Sequence, residues 1–275
     1  METTTEPVTG AAAGVPFLAV PPAHPTSTSP IVLTWHLMDP PRTERAFAAA
    51  LPLAGLDAWR IHLGLPLCGS RSPEGGLDEV MRLGYEDAVL NLHRPVTDQA
   101  VAELGPALAE LRPRLGLGDG PIGLVGASHG SAVAQLVLAE GDLPIAAAVL
   151  ISPVVELGSV VTAMAARYGF EYPWSDASRE VAGRIDFVAR SAELARHGAG
   201  VLLLVGEDDD RAGFWEPARR LSAALGERAE ARLVPGMAHA LAEEPGVEPA
   251  PQIPAAAEVD RQAVEWFRRH LTPSA

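Results

Sequence analysis

From residue 31 onward, short apolar segments alternate with segments in which apolar residues recur at helical spacing. Continuous apolar strands separated by helices are typical of a mostly parallel sheet that is covered on both faces. The sequence therefore predicts a doubly wound α/β fold. The predicted strands are 31–35, 58–65, 122–125, 145–152, 201–205 and 231–235, and the predicted helices are 43–51, 96–115, 129–140, 214–225 and 256–271.

The first 30 residues do not follow this alternation. Residues 1–14 are rich in Thr, Gly and Ala and offer few groups that could pack against a core, so we expect a flexible lead-in. Residues 15–20 could form an edge strand, and a loop rich in Pro, Ser and Thr follows. The α/β domain is expected to span residues 31–272.

A second departure from the alternation lies at residues 154–199, which separate two predicted strands by far more chain than a crossover helix needs. The segment has helical patterns at 156–168 and 177–196, on either side of the aromatic stretch YGFEYPW. An insertion at this place predicts a short helical cap over a pocket.

Composition excludes several kinds of chemistry. All 21 basic residues are arginine, so a Schiff-base lysine, a phosphate-binding Walker lysine and a Ser-Lys dyad are all ruled out. The single cysteine, Cys68, excludes an internal disulfide and a cysteine-rich zinc site. The histidines show no metal-binding spacing, so we expect no metal and no cofactor.

The net charge of -14 would repel phosphate backbones and anionic lipid headgroups. We therefore expect a small-molecule substrate and neither nucleic acid nor a membrane surface as partner. The N-terminus is acidic where a signal peptide needs positive charge, and no apolar run reaches the roughly 18 residues of a membrane span. A cytoplasmic protein is the expectation, and its oligomeric state is open.

The stretch GASHG, residues 126–130, lies between a predicted strand and a predicted helix. A nucleophile elbow needs this context, because small residues must flank the serine for the strained turn to close and for Oγ to project. Gly126, Ala127 and Gly130 meet that steric demand around Ser128. Two later strands also end in chemically active residues, the first in the acidic run 207–210 and the second in a loop that contains His239.

These three elements resemble the α/β-hydrolase family, and the fold is similar to that of dienelactone hydrolases and small esterases. The resemblance covers roughly residues 30–272. It implies Ser128 as nucleophile and His239 as general base, with an orienting acid that usually lies three residues after the glycine ending the strand, here Asp209. Asp208 is the alternative.

The resemblance also implies an oxyanion hole built from two backbone amides. One is the amide of His129, which follows the nucleophile. The other comes from the loop after the first parallel strand, where many relatives have His-Gly and this chain has WHLM. Leu37 occupies the donor position, and His36 is the alternative.

Several other residues are candidates for the wall of the pocket. Arg71 could meet a substrate anion or form a salt bridge, and Tyr172 and Trp174 could face the pocket from the cap or pack the cap against the body. His36 is a further candidate. Cys68 lies outside the elbow, and we interpret it as structural.

Together these observations predict a serine hydrolase that cleaves an ester, lactone or thioester of a small molecule. Acyl transfer to another acceptor, thioesterase release of a biosynthetic product and non-catalytic ligand binding are the alternatives. A Rossmann nucleotide site is disfavoured, because the glycines are not spaced as G-x-G-x-x-G.

Overall fold

The computed structural model describes residues 6–271 and contains one eight-stranded sheet with the strand order β1-β2-β4-β3-β5-β6-β7-β8. The first two strands form an antiparallel hairpin and β2 also pairs antiparallel with β4, whereas the remaining pairs are parallel. The predicted doubly wound, mostly parallel sheet is confirmed. The strands are β1 (Val8–Ala12), β2 (Val15–Val20), β3 (Ile31–Trp35), β4 (Trp59–Leu63), β5 (Ile122–Ala127), β6 (Ile145–Ile151), β7 (Gly200–Gly206) and β8 (Ala229–Val234).

The helices lie between the strands, as the alternation predicts. Two of them are extended at their N-terminal ends by π-helical turns, Ala88–His93 before α3 and Arg211–Trp215 before α8. The helices are α1 (Glu44–Ala50), α2 (Gly76–Asp87), α3 (Arg94–Leu115), α4 (His129–Glu140), α5 (Leu157–Tyr168), α6 (Asp176–Arg184), α7 (Ser191–Ala195), α8 (Glu216–Leu225) and α9 (Pro254–His270).

The central strands of the sheet are buried on both faces. Along β7, Val201, Leu203 and Val205 join the cluster under α3, α4 and α8. The intervening Leu202 and Leu204 join the cluster under α1 and α9. Successive side chains of a strand point to opposite faces, so a strand covered on both sides must be apolar throughout. This explains why VLLLV shows no polar alternation.

The expectation of a flexible lead-in is wrong for residues 8–12. They form β1, which extends the sheet beyond β2, and the edge is held from outside by α3. Glu110 accepts the amide of Ala13 at 2.6 Å, and Arg114 donates to the carbonyl of Ala11 at 2.9 Å. Residues 1–5 lie outside the described part of the chain.

Two helix predictions also need correction. Between β4 and the predicted helix 96–115, the structure has α2 and a π-helical turn, which run directly into α3, so the helical segment begins well before residue 96. Asp87 caps the π-helical turn by accepting the amides of Val89 and Leu90. The predicted helix 177–196 is interrupted, giving α6 and α7.

In the described part of the chain, no helix is both long enough and apolar enough to cross a membrane.

The absence of a side chain at Gly123 in β5 allows α9 to pack closely. A β-carbon there would lie 2.7 Å from Phe267 Cε1 and 3.2 Å from Leu271 Cδ1. We expect Gly123→Val to lower the free energy of unfolding by about 1–3 kcal/mol through overpacking. Gly158→Ala in α5 is the control, because a β-carbon there meets nothing within 4 Å. Urea denaturation should show a lower midpoint for Gly123→Val only; equal midpoints would contradict this packing.

Candidate active site

Ser128 connects β5 to α4 in a backbone conformation that is rare for a residue with a side chain, with φ 47° and ψ -116°. Such a conformation costs about 1–3 kcal/mol and persists only where neighbouring contacts enforce it. The amide of Ser128 donates to the carbonyl of Ile151 at 2.9 Å, and the amide of Ser131 donates to the carbonyl of Ser128 at 2.9 Å. The strained turn is therefore fixed on both sides.

Two glycines make this turn sterically possible. A β-carbon at Gly126 would lie 2.3 Å from the carbonyl oxygen of Gly130. A β-carbon at Gly130 would lie 2.3 Å from the carbonyl oxygen of Trp35 and 2.6 Å from that of His36. The second contact also shows that the loop after β3 packs directly against the first turn of α4.

The loops after β7 and β8 are packed together in the same way. A β-carbon at Gly206 would lie 2.3 Å from the carbonyl oxygen of Met237, and the amide of Asp208 donates to that oxygen at 3.0 Å. Ser152, at the end of β6, donates its hydroxyl to the carbonyl of His239 at 3.2 Å. The ends of β6, β7 and β8 thus hold the loop that contains His239 in place.

The structure brings Ser128, His239 and Asp209 together. Nε2 of His239 lies 2.9 Å from Oγ of Ser128, and Nδ1 lies 2.8 Å from Oδ2 of Asp209. Because an ionised carboxylate can only accept, Nδ1 carries the hydrogen and Nε2 is left to accept the serine hydroxyl. The arrangement can therefore remove a proton from Ser128.

The neighbouring carboxylates have other positions. The side chain of Asp209 is only 6% exposed, and its second oxygen accepts the amide of Asp210 at 2.8 Å. Asp210 accepts the amide of Gly213 at 2.7 Å and so caps the π-helical turn, whereas Asp208 is exposed. Of the two acids left open by the sequence, Asp209 is the one that contacts His239.

Two opposing effects act on the pKa of His239. Burial lowers it, but the hydrogen bond and charge of Asp209, together with the charge of Asp39, outweigh burial and raise the pKa above its ordinary value of 6.5. Asp39 lies on the other side of the ring, with Oδ2 3.7 Å from Nε2. The imidazole thus has a carboxylate at each nitrogen.

The loop after β3 is fixed by the buried side chain of His36. Its Nε2 accepts the amide of Leu65 at 3.0 Å, so the hydrogen must be on Nδ1, which donates to the carbonyl of Leu37 at 2.6 Å. Burial lowers the pKa of His36 to about 4, which keeps the ring neutral. His36 therefore connects the loops after β3 and β4 by hydrogen bonds at both ring nitrogens, and its side chain is fully buried.

The side chain of His129 is buried and stacks on His93, with ring centroids 4.0 Å apart. Burial, and then the neighbouring His93 and His239, hold the pKa of His129 well below its ordinary value. His129 Nε2 and His93 Nδ1 have no hydrogen-bond partner among residues 6–271. Sequence reasoning missed His93, since a lone histidine in an unrecognised helical segment gave no signal.

Both π-helical turns contribute a ring to this histidine cluster. His93 ends the first turn and stacks on His129, and Phe214 in the second lies 4.6 Å from the ring of His239, centroid to centroid. π-helical turns are frequent at functional sites, because the extra residue redirects a side chain. Here one ring packs against His129, the residue after Ser128, and the other packs against His239.

The remaining candidates lie farther out. Arg71 donates to both carboxylate oxygens of Glu103 at 2.8 Å, which favours the salt-bridge alternative. Tyr172 donates its hydroxyl to Asp87 and packs edge-on against Trp174 at 4.7 Å. These contacts join the segment after α5 to the end of α2, and a pocket role for either ring stays a prediction.

Cys68 is buried beside the carbonyls of Leu37 and Arg42.

Solved structures with this architecture identify the fold. The chain is similar over 98% of its length to dienelactone hydrolase from Anabaena variabilis, covering 99% of that chain at 18% identity and a TM-score of 0.57. It is similar over 99% of its length to carboxyl esterase 2 from Tuber melanosporum, covering 88% of that chain at 18% identity and a TM-score of 0.59. The chain has the α/β-hydrolase fold.

A puromycin-hydrolyzing peptidase of Mycobacterium tuberculosis shares this α/β-hydrolase fold over 97% of the present chain, with 19% identity and a TM-score of 0.62. The present chain spans 40% of that longer protein. No protein-family model and no curated protein sequence matches the chain. At these identities the similarity shows the α/β-hydrolase fold alone.

The buried histidines beside Ser128 predict a measurable acid sensitivity. Burial lowers the pKa of His93 to about 4, whereas the unfolded chain binds that proton near 6.5. The neutral ring thus contributes stability that is complete above pH 6.5 and is lost, at about 1.4 kcal/mol per pH unit, as the pH falls toward 4. We expect His93→Phe, which keeps a ring against His129, to lose less stability than wild type over this range.

Urea unfolding at several pH values between 7 and 4 measures this difference. Contributions from carboxylates are common to both proteins and cancel in the comparison. Parallel stability curves for the two proteins would contradict the lowered pKa of His93.

Proposed function

We propose that this protein is a serine hydrolase that cleaves an ester, lactone or thioester of a small molecule through an acyl-enzyme on Ser128. The observation that carries the proposal is the continuous hydrogen-bond chain from Ser128 Oγ through His239 to Asp209, with distances of 2.9 and 2.8 Å. The similar structures include a dienelactone hydrolase and a carboxyl esterase, which supports an ester-type bond as the substrate.

In the proposed mechanism His239 Nε2 takes the hydroxyl proton as Oγ of Ser128 attacks the substrate carbonyl carbon. The tetrahedral intermediate collapses, the bond from carbon to the leaving group breaks, and Nε2 returns the proton to the departing oxygen or sulfur. Water then repeats the sequence on the acyl-enzyme and releases the acid. Asp209 holds the imidazole in the required tautomer and stabilises the imidazolium.

We assign the two oxyanion donors to the amides of His129 and Leu37. The packing of Gly130 against the carbonyls of Trp35 and His36 supports this, since it sets the loop after β3 beside the first turn of α4. The bond from His36 Nδ1 to the carbonyl of Leu37 is a second support, because it fixes the orientation of that loop. Donors held in advance stabilise developing negative charge without reorganisation.

A set of three variants tests the roles of the carboxylates and of Ser128. We expect Ser128→Ala to abolish turnover of p-nitrophenyl butyrate and labelling by a fluorophosphonate probe. Asp209→Asn should lower kcat by about 10³- to 10⁴-fold, because an amide cannot hold the same tautomer. Asp208→Asn, which removes an exposed carboxylate one residue away, is the matched control and should retain activity. Unchanged turnover in Ser128→Ala with a retained fold would refute the proposed function.

The raised pKa of His239 sets the pH dependence of the proposed reaction. The ring must be neutral to accept the serine proton, so kcat/KM should rise with pH through a midpoint above 6.5. Asp39→Asn removes one of the charges that raise the pKa, and the midpoint should move to lower pH. A pH profile of kcat/KM for both proteins measures this. A midpoint that is the same with and without the Asp39 charge would contradict the electrostatic assignment.

A further inference from the structure

Asp39 lies in the loop after β3, and its side chain is 52% exposed. Its Oδ2 is 3.7 Å from His239 Nε2, the same nitrogen that lies 2.9 Å from Oγ of Ser128. Asp39 differs in this respect from Asp209, which contacts the opposite nitrogen. A second carboxylate therefore borders the atoms that would exchange the proton.

No arginine forms an ion pair with Asp39 among residues 6–271. Arg42, the nearest arginine in the sequence, is engaged by Glu244 at 2.8 and 3.1 Å. Arg167 at the end of α5 lowers the pKa of His239 by its charge, but its guanidinium lies over the ring of Tyr168, 5.9 Å from the centroid. In the described part of the chain, Asp39 therefore pairs with no cation other than His239 itself, which is charged only when it is protonated.

The Asp39 carboxylate acts in opposite ways on the two charges that the proposed chemistry creates. Attack by Ser128 puts a proton on His239, whose positive charge Asp39 stabilises, and a negative charge on the tetrahedral intermediate, which Asp39 repels. A cation on the substrate would remove this repulsion and would attract the carboxylate. The protein's overall charge of -14 acts in the same direction, because it concentrates cations around the surface.

The position of Asp39 also selects one side of the substrate. His239 Nε2 donates the proton to the leaving group, so a carboxylate at that nitrogen borders the region through which the leaving group departs. The acyl part lies on the other side of the scissile bond. A cation that reaches Asp39 must therefore belong to the alcohol.

We propose that Asp39 binds a cationic group on the leaving-group side of the substrate, so that the enzyme prefers esters of alcohols that carry an ammonium group. This inference rests on the proposed function at Ser128 and specifies its substrate class. Asp39 acts here by contact with the substrate, in addition to its effect on His239.

Two esters of nearly identical shape test the proposal. Butyrylcholine carries a quaternary nitrogen, and 3,3-dimethylbutyl butyrate has a neutral carbon in its place. The measurement is kcat/KM for both esters at pH 8.5 and low ionic strength, in wild type and in Asp39→Asn. Because any effect that acts through His239 is common to the two esters, their ratio isolates the contact with the cation.

We expect wild type to favour butyrylcholine, and Asp39→Asn to reduce the ratio about tenfold, mainly through slower turnover of the choline ester. Asp39→Glu keeps the charge and should retain the preference. Asp208→Asn, which removes an exposed charge from the same edge of the sheet, should leave the ratio unchanged. Added salt should lower the ratio in wild type more than in Asp39→Asn.

A ratio that is the same in wild type and Asp39→Asn would overturn the inference and would leave Asp39 acting only through His239. The proposed function would survive that result, provided that p-nitrophenyl butyrate is still hydrolysed. Wild type that hydrolyses none of these esters would instead refute the proposed function, and this inference with it.

Discussion

The strained backbone at Ser128 is the constraint to which the rest of the site is adapted. A φ of 47° is unfavourable for serine, so the surrounding structure must enforce it. The hydrogen bond from the amide of Ser128 to the carbonyl of Ile151 holds this conformation. The absence of side chains at Gly126 and Gly130 leaves room for the backbone segments that pack around it. The loop after β3 can then approach α4, and this loop carries Asp39, which lies beside His239. One unfavourable residue conformation thus determines which loops can meet.

Much of this arrangement follows from the sequence, because parallel strands end at one edge of the sheet. Apolar runs located six strands, and the chemically active residues after three of them had to converge. The spacing after Gly206 favours Asp209 as the acid that contacts His239, but it does not exclude the two neighbouring aspartates. The structure separates them, because Asp210 caps a π-helical turn and Asp208 is exposed. Residue order can indicate convergence at an edge but cannot assign hydrogen bonds within an acidic run.

Other features depend on contacts that no local pattern shows. α2 begins at Gly76, which has a positive φ like the preceding Gly75, and no side chain caps it. Its apolar Leu77 and Met81 are exposed, so neither a capping residue nor a buried apolar stripe marks the helix in the sequence. β1 consists mostly of small residues and is held by Glu110 and Arg114 of a distant helix. His93 became visible as part of the site only once the structure placed it against His129.

The two carboxylates beside His239 carry the same charge but act under different conditions. Asp209 is buried and hydrogen-bonded, so its effect is present whether or not substrate is bound. Asp39 is half exposed, and water weakens its interactions in the free protein. A substrate that covers the site would displace this water and strengthen every interaction of the Asp39 charge. An uncharged substrate would then meet a stronger repulsion of its oxyanion, whereas a cationic leaving group would gain attraction. Discrimination by Asp39 is therefore expected to develop as the complex forms.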